Sequence, residues 1–205
     1  MAKLNAPLFS FNASGKLANS LVYFGWKGLD VVRSYVVPTN PKSAAQLTQR
    51  GYLAEAVDAI HAAQALAANP LIAIDIIAYA LWASIYPNPS TWFNQICRNN
   101  MLQRVAALRG CIYRDGSVTP GAAQLAMHLE FTKISGANDV TAGSWYYGVS
   151  RTALITSMAA TIVANSIDNT IAGLTPGTKY YVQFRPSAHA DYVGAYSGIY
   201  TGTPT

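Results

Sequence analysis

Charged side chains are scarce in this chain. Asp, Glu, Lys and Arg make up 11% of its 205 residues, against about 25% in an ordinary soluble domain. With 51% of its residues apolar, such a chain hides much of its surface, in its own core or against neighbours. The deficit is a first sign of assembly. Cysteine is scarcer still: Cys97 and Cys111 are too few for a disulfide scaffold and lack the second pair of a zinc site. Free, buried thiols are expected. Long apolar runs are also missing. The most hydrophobic stretch, Leu71 to Tyr86, is too short to span a bilayer and carries Asp75 inside it, so it reads as a buried helix. The start, Met1-Ala-Lys-Leu-Asn-Ala-Pro-Leu, lacks the apolar segment of a secretion signal. Synthesis in a cytoplasm, with no membrane contact, is the expectation.

Motifs of chemistry are absent as well. No G-x-S-x-G elbow, Walker loop or dinucleotide fingerprint is present, so no cofactor is expected. His61, His128 and His189 stand alone, without a ligand partner at helical or hairpin spacing, which argues against a metal site. His61 and Asp58 read as a surface pair, and His128 as a tolerated residue of a strand. The carboxylates Glu55, Asp58, Asp75, Glu130, Asp139, Asp168 and Asp191 are thinly spread, with no spacing that sets two across a cleft. Asp75 either meets an arginine of a helix bundle or faces water near a helix start, where the dipole favours negative charge; the second reading is preferred. No catalytic residue is assigned.

The net charge of +5 lies wholly in the first half, where residues 1–110 hold nine Lys/Arg against four Asp/Glu. Those cations are scattered and form no aromatic-lined basic face, so a specific nucleic-acid partner is not expected.

What is present divides into two textures. Residues 1–18 read as an extended arm. Leu21–Trp26 and Asp30–Val37 are rich in aromatic and β-branched residues, and Lys27-Gly28 between them suits a two-residue hairpin turn. Asn40-Pro41 suits a helix start. Ala45, Tyr52, Leu53, Ala56, Val57, Ile60 and Ala63 then recur at three- and four-residue spacing up to Asn69-Pro70. Gly51 inside this helix suggests the close approach of another backbone. A second helix spans about Ile72–Tyr86. A third, capped by Ser90, runs to about Leu108 with Trp92, Phe93, Ile96, Cys97, Met101, Leu102 and Val105 on its apolar side.

After Gly110 come Asp115-Gly116 and Pro120-Gly121, read as turns. Short alternating segments follow: 126–134, 144–149, 159–163, 169–174, 179–185 and 192–202. Such spacing points to a β-sandwich. A boundary near 111–120 is expected. The fold class is therefore α+β in two domains, a hairpin with three helices at 19–110 and an antiparallel sandwich at 117–205. Tyr146 and Tyr147 must point to opposite faces, leaving one exposed. Tyr192, Tyr196 and Tyr200, four apart in an expected strand, would form a contact strip.

Leu174-Thr-Pro176-Gly-Thr178-Lys-Tyr180 resembles the L-x-P-x-T-x-Y motif of fibronectin type III domains. That resemblance implies structural roles for Pro176 and Tyr180, with the Tyr180 hydroxyl reaching back to the backbone. It also implies a core tryptophan on the second strand, where Phe131 stands nearest. In the first half, Gly15-Lys-x-x-Asn19-Ser-x-Val-Tyr23-x-x-Trp26-Lys-Gly28, Arg33, Asn40-Pro41, Ala45-Gln46, Arg50 and Phe93-Asn94-Gln-Ile96 resemble uncharacterised proteins of bacteriophages and prophages. That resemblance implies a non-enzymatic virion structural protein, capsid-decorating or part of the tail, made in the host cytoplasm. Its partners would be other copies of itself and other virion proteins. Phe9, Phe11, Trp26, Lys27, Arg33 and Tyr35 are the expected assembly contacts. The competing reading is a surface adhesin whose sandwich binds polysaccharide or a host protein.

Overall fold

The computed structural model describes residues 2–3, 14–37, 39–40, 42–134, 136, 138–188 and 190–205. Phe9, Phe11, Pro38, Pro41 and His189 lie outside the described residues. The chain is α+β and separates into two compact units, Met1–Ser43 and Ala44–Thr205.

The first unit is an antiparallel sheet of β1 (Ala2–Lys3), β2 (Gly15–Leu17), β3 (Leu21–Trp26) and β4 (Leu29–Ser34), in the order β1-β4-β3-β2. The hairpin forms as its sequence suggests. Trp26 faces Leu29, and Lys27 and Gly28 take φ of 50° and 77°, the two positive values a type I′ turn needs. Parts of the expected arm, residues 2–3 and 15–17, serve as outer strands.

The second unit holds three helices, α1 (Ala44–Gln64), α2 (Ala73–Ala83) and α3 (Trp92–Val105). Eight strands follow: β5 (Cys111–Gly121), β6 (Gln124–Lys133), β7 (Ala142–Gly148), β8 (Thr156–Ala159), β9 (Thr161–Val163), β10 (Ser166–Ala172), β11 (Tyr180–Ala188) and β12 (Tyr200–Gly202). They make two four-stranded antiparallel sheets, β5-β6-β10-β9 and β12-β11-β7-β8. Alternation builds the space between them. Leu125, Met127, Leu129 and Phe131 of β6 join Ile167 and Ile171 of β10, Trp145 of β7, and Val182 and Phe184 of β11. Phe184 meets Trp145 and Tyr113 edge-on at 5.6 and 5.5 Å, the orientation that aromatic quadrupoles favour.

The helices pack along the side of the sandwich where β5 and β12 meet. Ala56, Ile60, Tyr79, Trp82 and Ile96 pack with Ile112, Leu154 and Ile199, and Tyr146, Tyr181 and Tyr196 close the edge. Helix α2 also reaches the sandwich core, where Ala78 joins the inner residues. The expected boundary at 111–120 thus falls inside β5, and helices and strands share one compact unit. Tyr146 and Tyr147 do diverge, but Tyr146 turns to the helices and Tyr147 to the sandwich core, and neither is exposed.

Asp75 locks helix to sandwich. Helix α2 starts with Asp75 in its first turn, so its Oδ2 accepts from the Ile72 backbone N–H at 2.9 Å, as an acid at a helix start does. Its Oδ1 accepts from the Gly116 N–H at 2.9 Å and from the Tyr200 hydroxyl at 2.7 Å. The residue is buried. Among the described residues it meets neither solvent nor an arginine: its partners come from the α2 start, β5 and Tyr200. Burial raises its pKa, against the lowering effect of its donors.

Three more local expectations change. Asp115-Gly116 is no turn. It is a bulge within β5, at the register shift between Arg114 and Ser117, with Asp115 at φ 52°, a left-handed conformation Asp tolerates. A Cβ on Gly116 would lie 2.3 Å from the Tyr200 ring. Among the described residues nothing lies within 4 Å of a Cβ on Gly51, so the expected close backbone approach is not seen there. Finally, α3 buries Gln95, Asn99, Asn100 and Gln103 alongside Ile96 and Cys97, while Leu102 and Val105 are 55% and 64% exposed. Its inner side faces polar backbone: Asn100 donates to the Tyr52 carbonyl at 3.2 Å, and the Gln103 side chain lies where a Cβ on Gly194 would be. Both cysteines are free and buried, and burial pushes their thiols up.

Candidate functional site

The polar side chains that converge most densely lie on the outer face of the β5-β6-β10 sheet. Their placement follows from strand alternation. The odd positions of β6 from Leu125 to Phe131 point into the sandwich, so His128 and Glu130 point out. In the neighbouring strands, Glu130 stands opposite Arg114 and Ser166, and His128 opposite Ser117 and Asp168. The β5 bulge inserts Asp115 between those two rows. A bulge re-aims a side chain in this way, and it brings the Asp115 carboxylate to the histidine.

The imidazole sits between two carboxylates. His128 Nδ1 is 2.7 Å from Asp168 Oδ1, and Nε2 is 3.6 Å from Asp115 Oδ2. Ser166 donates to Asp168 Oδ2. Partial burial disfavours the imidazolium, yet the carboxylates of Asp168, Asp115 and Glu130 outweigh it and raise the His128 pKa. For Asp168, burial works upward, but the Ser166 and His128 hydrogen bonds prevail and lower its pKa. Beside this pair, Arg114 bridges to Glu130 Oε2 at 2.8 Å and donates through Nε to Thr132 Oγ1 at 2.7 Å and through Nη1 to the Asn69 carbonyl. The Asn69 side-chain amide donates to Glu130. A shallow depression of about 460 Å³ borders the cluster, with His128, Asp168, Ser117 and Thr170 in its wall.

Serine, histidine and aspartate meet here, but not as a nucleophilic triad. That relay needs serine and aspartate on opposite ring nitrogens. Ser166 Oγ, 3.5 Å away, and Asp168 both approach Nδ1, and Nε2 faces a second carboxylate. What the arrangement offers is cation binding: Asp115, His128 and Glu130 can each present one ligand atom within 4.8 Å of the others. The crevice between α2 and the sandwich, about 240 Å³, is lined by Ile74, Ile77, Leu81, Val118 and Ile199. Its Tyr200 hydroxyl is held by Asp75.

Sequence reasoning missed this cluster. His128 and Glu130 are two apart, which is one face of a strand and neither a helical nor a hairpin ligand spacing. The contributions of Asp115 and Asp168 depend on register and on a bulge. His61, read as a partner of Asp58, is exposed with its ring tilted against Phe93 at 6.3 Å.

The residues expected to make contacts are placed as follows. Trp26 is 53% exposed, and Lys27 forms the hairpin turn. The Arg33 guanidinium lies over the Phe24 ring at 5.5 Å, and the Lys16 ammonium lies over Tyr35 at 4.3 Å. The tyrosine strip does not form. Tyr192 lies in a 3-10 turn (Ala190–Tyr192), buried, donating to the Asn138 carbonyl at 2.8 Å. Tyr200 is buried against Asp75, and Tyr196 is half-buried beside Trp82. The segment 193–199 leaves the strand ladder to pass under α2, where Ile199 N–H donates to the Ala78 carbonyl at 3.0 Å; a period of two does not apply to it. Tyr180 accepts a hydrogen bond from the Thr175 N–H at 3.1 Å, and Pro176 is exposed in the preceding turn.

No family model, curated protein or solved structure matches the chain. No helix among the described residues is long and apolar enough to cross a membrane.

Proposed function

We propose that this protein is a non-enzymatic structural component of a bacteriophage virion, decorating the capsid or belonging to the tail. It assembles through its N-terminal half and displays a fibronectin type III-like sandwich. The observation that carries the reading is how little the first half covers. Among the described residues of the four-stranded N-terminal sheet, Val31 alone is buried, while Leu17, Trp26 and Leu29, with Val36 and Val37 just beyond β4, are exposed. A small sheet needs a second layer for stability, and exposed apolar surface of this kind is covered in assemblies. The first two turns of α1, residues 44–51, are likewise exposed throughout. The resemblance of residues 12–105 to bacteriophage proteins gives the assembly its setting. The type III likeness draws support from the order of the two sheets and from the Tyr180 contact with Thr175; Trp145 occupies the third strand and Phe131 the second.

The test is association of the full chain. Light scattering should show a concentration-dependent oligomer, and joint Trp26→Ser and Val36→Ser substitution should weaken it without lowering the main thermal transition. A monodisperse monomer at high concentration would sink the proposal. Burial of Tyr192 and Tyr200 leaves Tyr196 as the one partly exposed member of the expected contact strip.

A further inference from the structure

We propose that Asp115, His128 and Glu130 bind a divalent transition-metal ion on the open face of the sandwich, with Asp168 orienting the imidazole. The inference is independent of the virion reading.

Four observations converge on it. The donor set is one imidazole nitrogen and two carboxylates, each able to place an atom within 4.8 Å of the others. Imidazole favours zinc and its first-row neighbours over magnesium or calcium, which prefer oxygen alone. Second, the spacing is close to that of a metal centre. Two ligands bonded at about 2.0–2.1 Å in tetrahedral array stand roughly 3.3 Å apart, and His128 Nε2 lies 3.6 Å from Asp115 Oδ2. A shift of a few tenths of an ångström closes that pair, and a Glu130 oxygen already lies within 4.8 Å of both.

Third, the imidazole is already oriented. In the tautomer whose Nδ1–H donates to Asp168, 2.7 Å away, the neutral ring presents the Nε2 lone pair toward Asp115. This carboxylate–histidine arrangement is the one that metal-ligating histidines use. Arg114 and Asn69 hold Glu130 in the same way, and a carboxylate has lone pairs enough to serve both them and an ion.

Fourth, the charges balance. Asp115, Glu130 and Asp168 carry three negative charges, and Arg114 supplies one positive charge, leaving a formal −2 around a neutral His128. A dication cancels that. The adjoining depression of about 460 Å³ opens on the His128 and Asp168 side of the cluster. The ion would tie β5 to β6 directly and to β10 through Asp168.

The experiment uses the untagged full chain, stripped of metal, titrated with zinc against a chromogenic chelator and melted with and without zinc. One equivalent is expected to bind and to raise the melting temperature; magnesium at the same concentration should do neither. His128→Gln should abolish the zinc-induced shift. Asp115→Asn, which keeps the left-handed backbone position accessible, should do the same. Asp168→Asn should weaken binding about 10–100-fold. His128 is about one-third exposed, so the metal-free His128→Gln protein should melt near wild type, which separates lost binding from lost folding. No zinc binding at micromolar concentrations overturns the proposal. So does binding that survives both His128→Gln and Asp115→Asn, or magnesium binding as tightly as zinc.

Discussion

The two β regions of this protein use the same local chemistry and reach different ends. The N-terminal sheet has a well-formed type I′ hairpin, yet Val31 is its one buried residue among those described. The sandwich has a comparable density of β-branched and aromatic residues and buries them from two sheets, with helices as a third layer. Strand formation is thus settled by neighbours in sequence, and burial by whether a second layer arrives. Asp75 is where that layer is fastened. Asp75→Ala leaves the Gly116 N–H and the Tyr200 hydroxyl without their acceptor inside the fold. It should cost about 3–4 kcal/mol, read by urea denaturation through tryptophan fluorescence. Val31→Ala in the small sheet should leave that main transition unmoved. Equal losses from both substitutions would erase the contrast.

Close approach sharpens it next. A Cβ on Gly116 would meet the Tyr200 ring at 2.3 Å, and one on Gly198 the Ala78 backbone at 2.7 Å. The Tyr200 ring is buried and its hydroxyl tied, so it has little room to yield. Gly116→Ala and Gly198→Ala should each cost about 1–3 kcal/mol. Gly25→Ala in the N-terminal sheet, where nothing lies within 4 Å, should be almost silent in the same assay.

Alkaline titration separates the regions by another route. Burial raises the pKa of Tyr79, Tyr113 and Tyr200 well above the ordinary value, and that of Tyr192 to about 12. The folded state therefore keeps protons that the unfolded chain loses above about pH 10. The stabilisation is complete below that pH and is lost as pH climbs toward the folded values. Absorbance at the phenolate band should show these four tyrosines ionising only as the fold opens. Gradual titration of all thirteen from about pH 10, with the fold intact, would mean that the core is looser than its packing indicates.

How much of this could be read from the residues follows the same division. The Lys27-Gly28 hairpin, the three helices and most strands of the sandwich were legible, because each rests on local periodicity or a turn pair. The first sandwich strand was not. Asp115-Gly116 has the composition of a turn, and the contacts that hold it as a bulge, Asp75 on the Gly116 N–H and the Tyr200 ring beside it, are tertiary. The inward side of α3 does not follow from composition: Leu102 and Val105 look like core, whereas Asn100 turns inward to donate to the Tyr52 carbonyl and Gln103 packs against Gly194. Of the candidate site, His128 and Glu130 could have been grouped from their spacing. Asp115 and Asp168 could not, since they arrive through tertiary register.

The smallest expected effect bears directly on assembly. Gly51 lies in α1 with nothing within 4 Å of a prospective Cβ, and its φ is not among the positive values. In a free helix, replacing such a glycine by alanine stabilises by about 0.5–1 kcal/mol, since glycine gives up more conformational entropy. Gly51→Ala should therefore raise the melting temperature of the dissociated chain slightly. If residues 44–51 pack against another copy, the added methyl group should at the same time weaken association, because close backbone approach is what a glycine on an exposed helix face permits. A gain in stability with unchanged association would remove these turns from the interface and leave assembly to the small sheet. A loss of stability in the dissociated chain would mean that something of the chain's own already lies against Gly51.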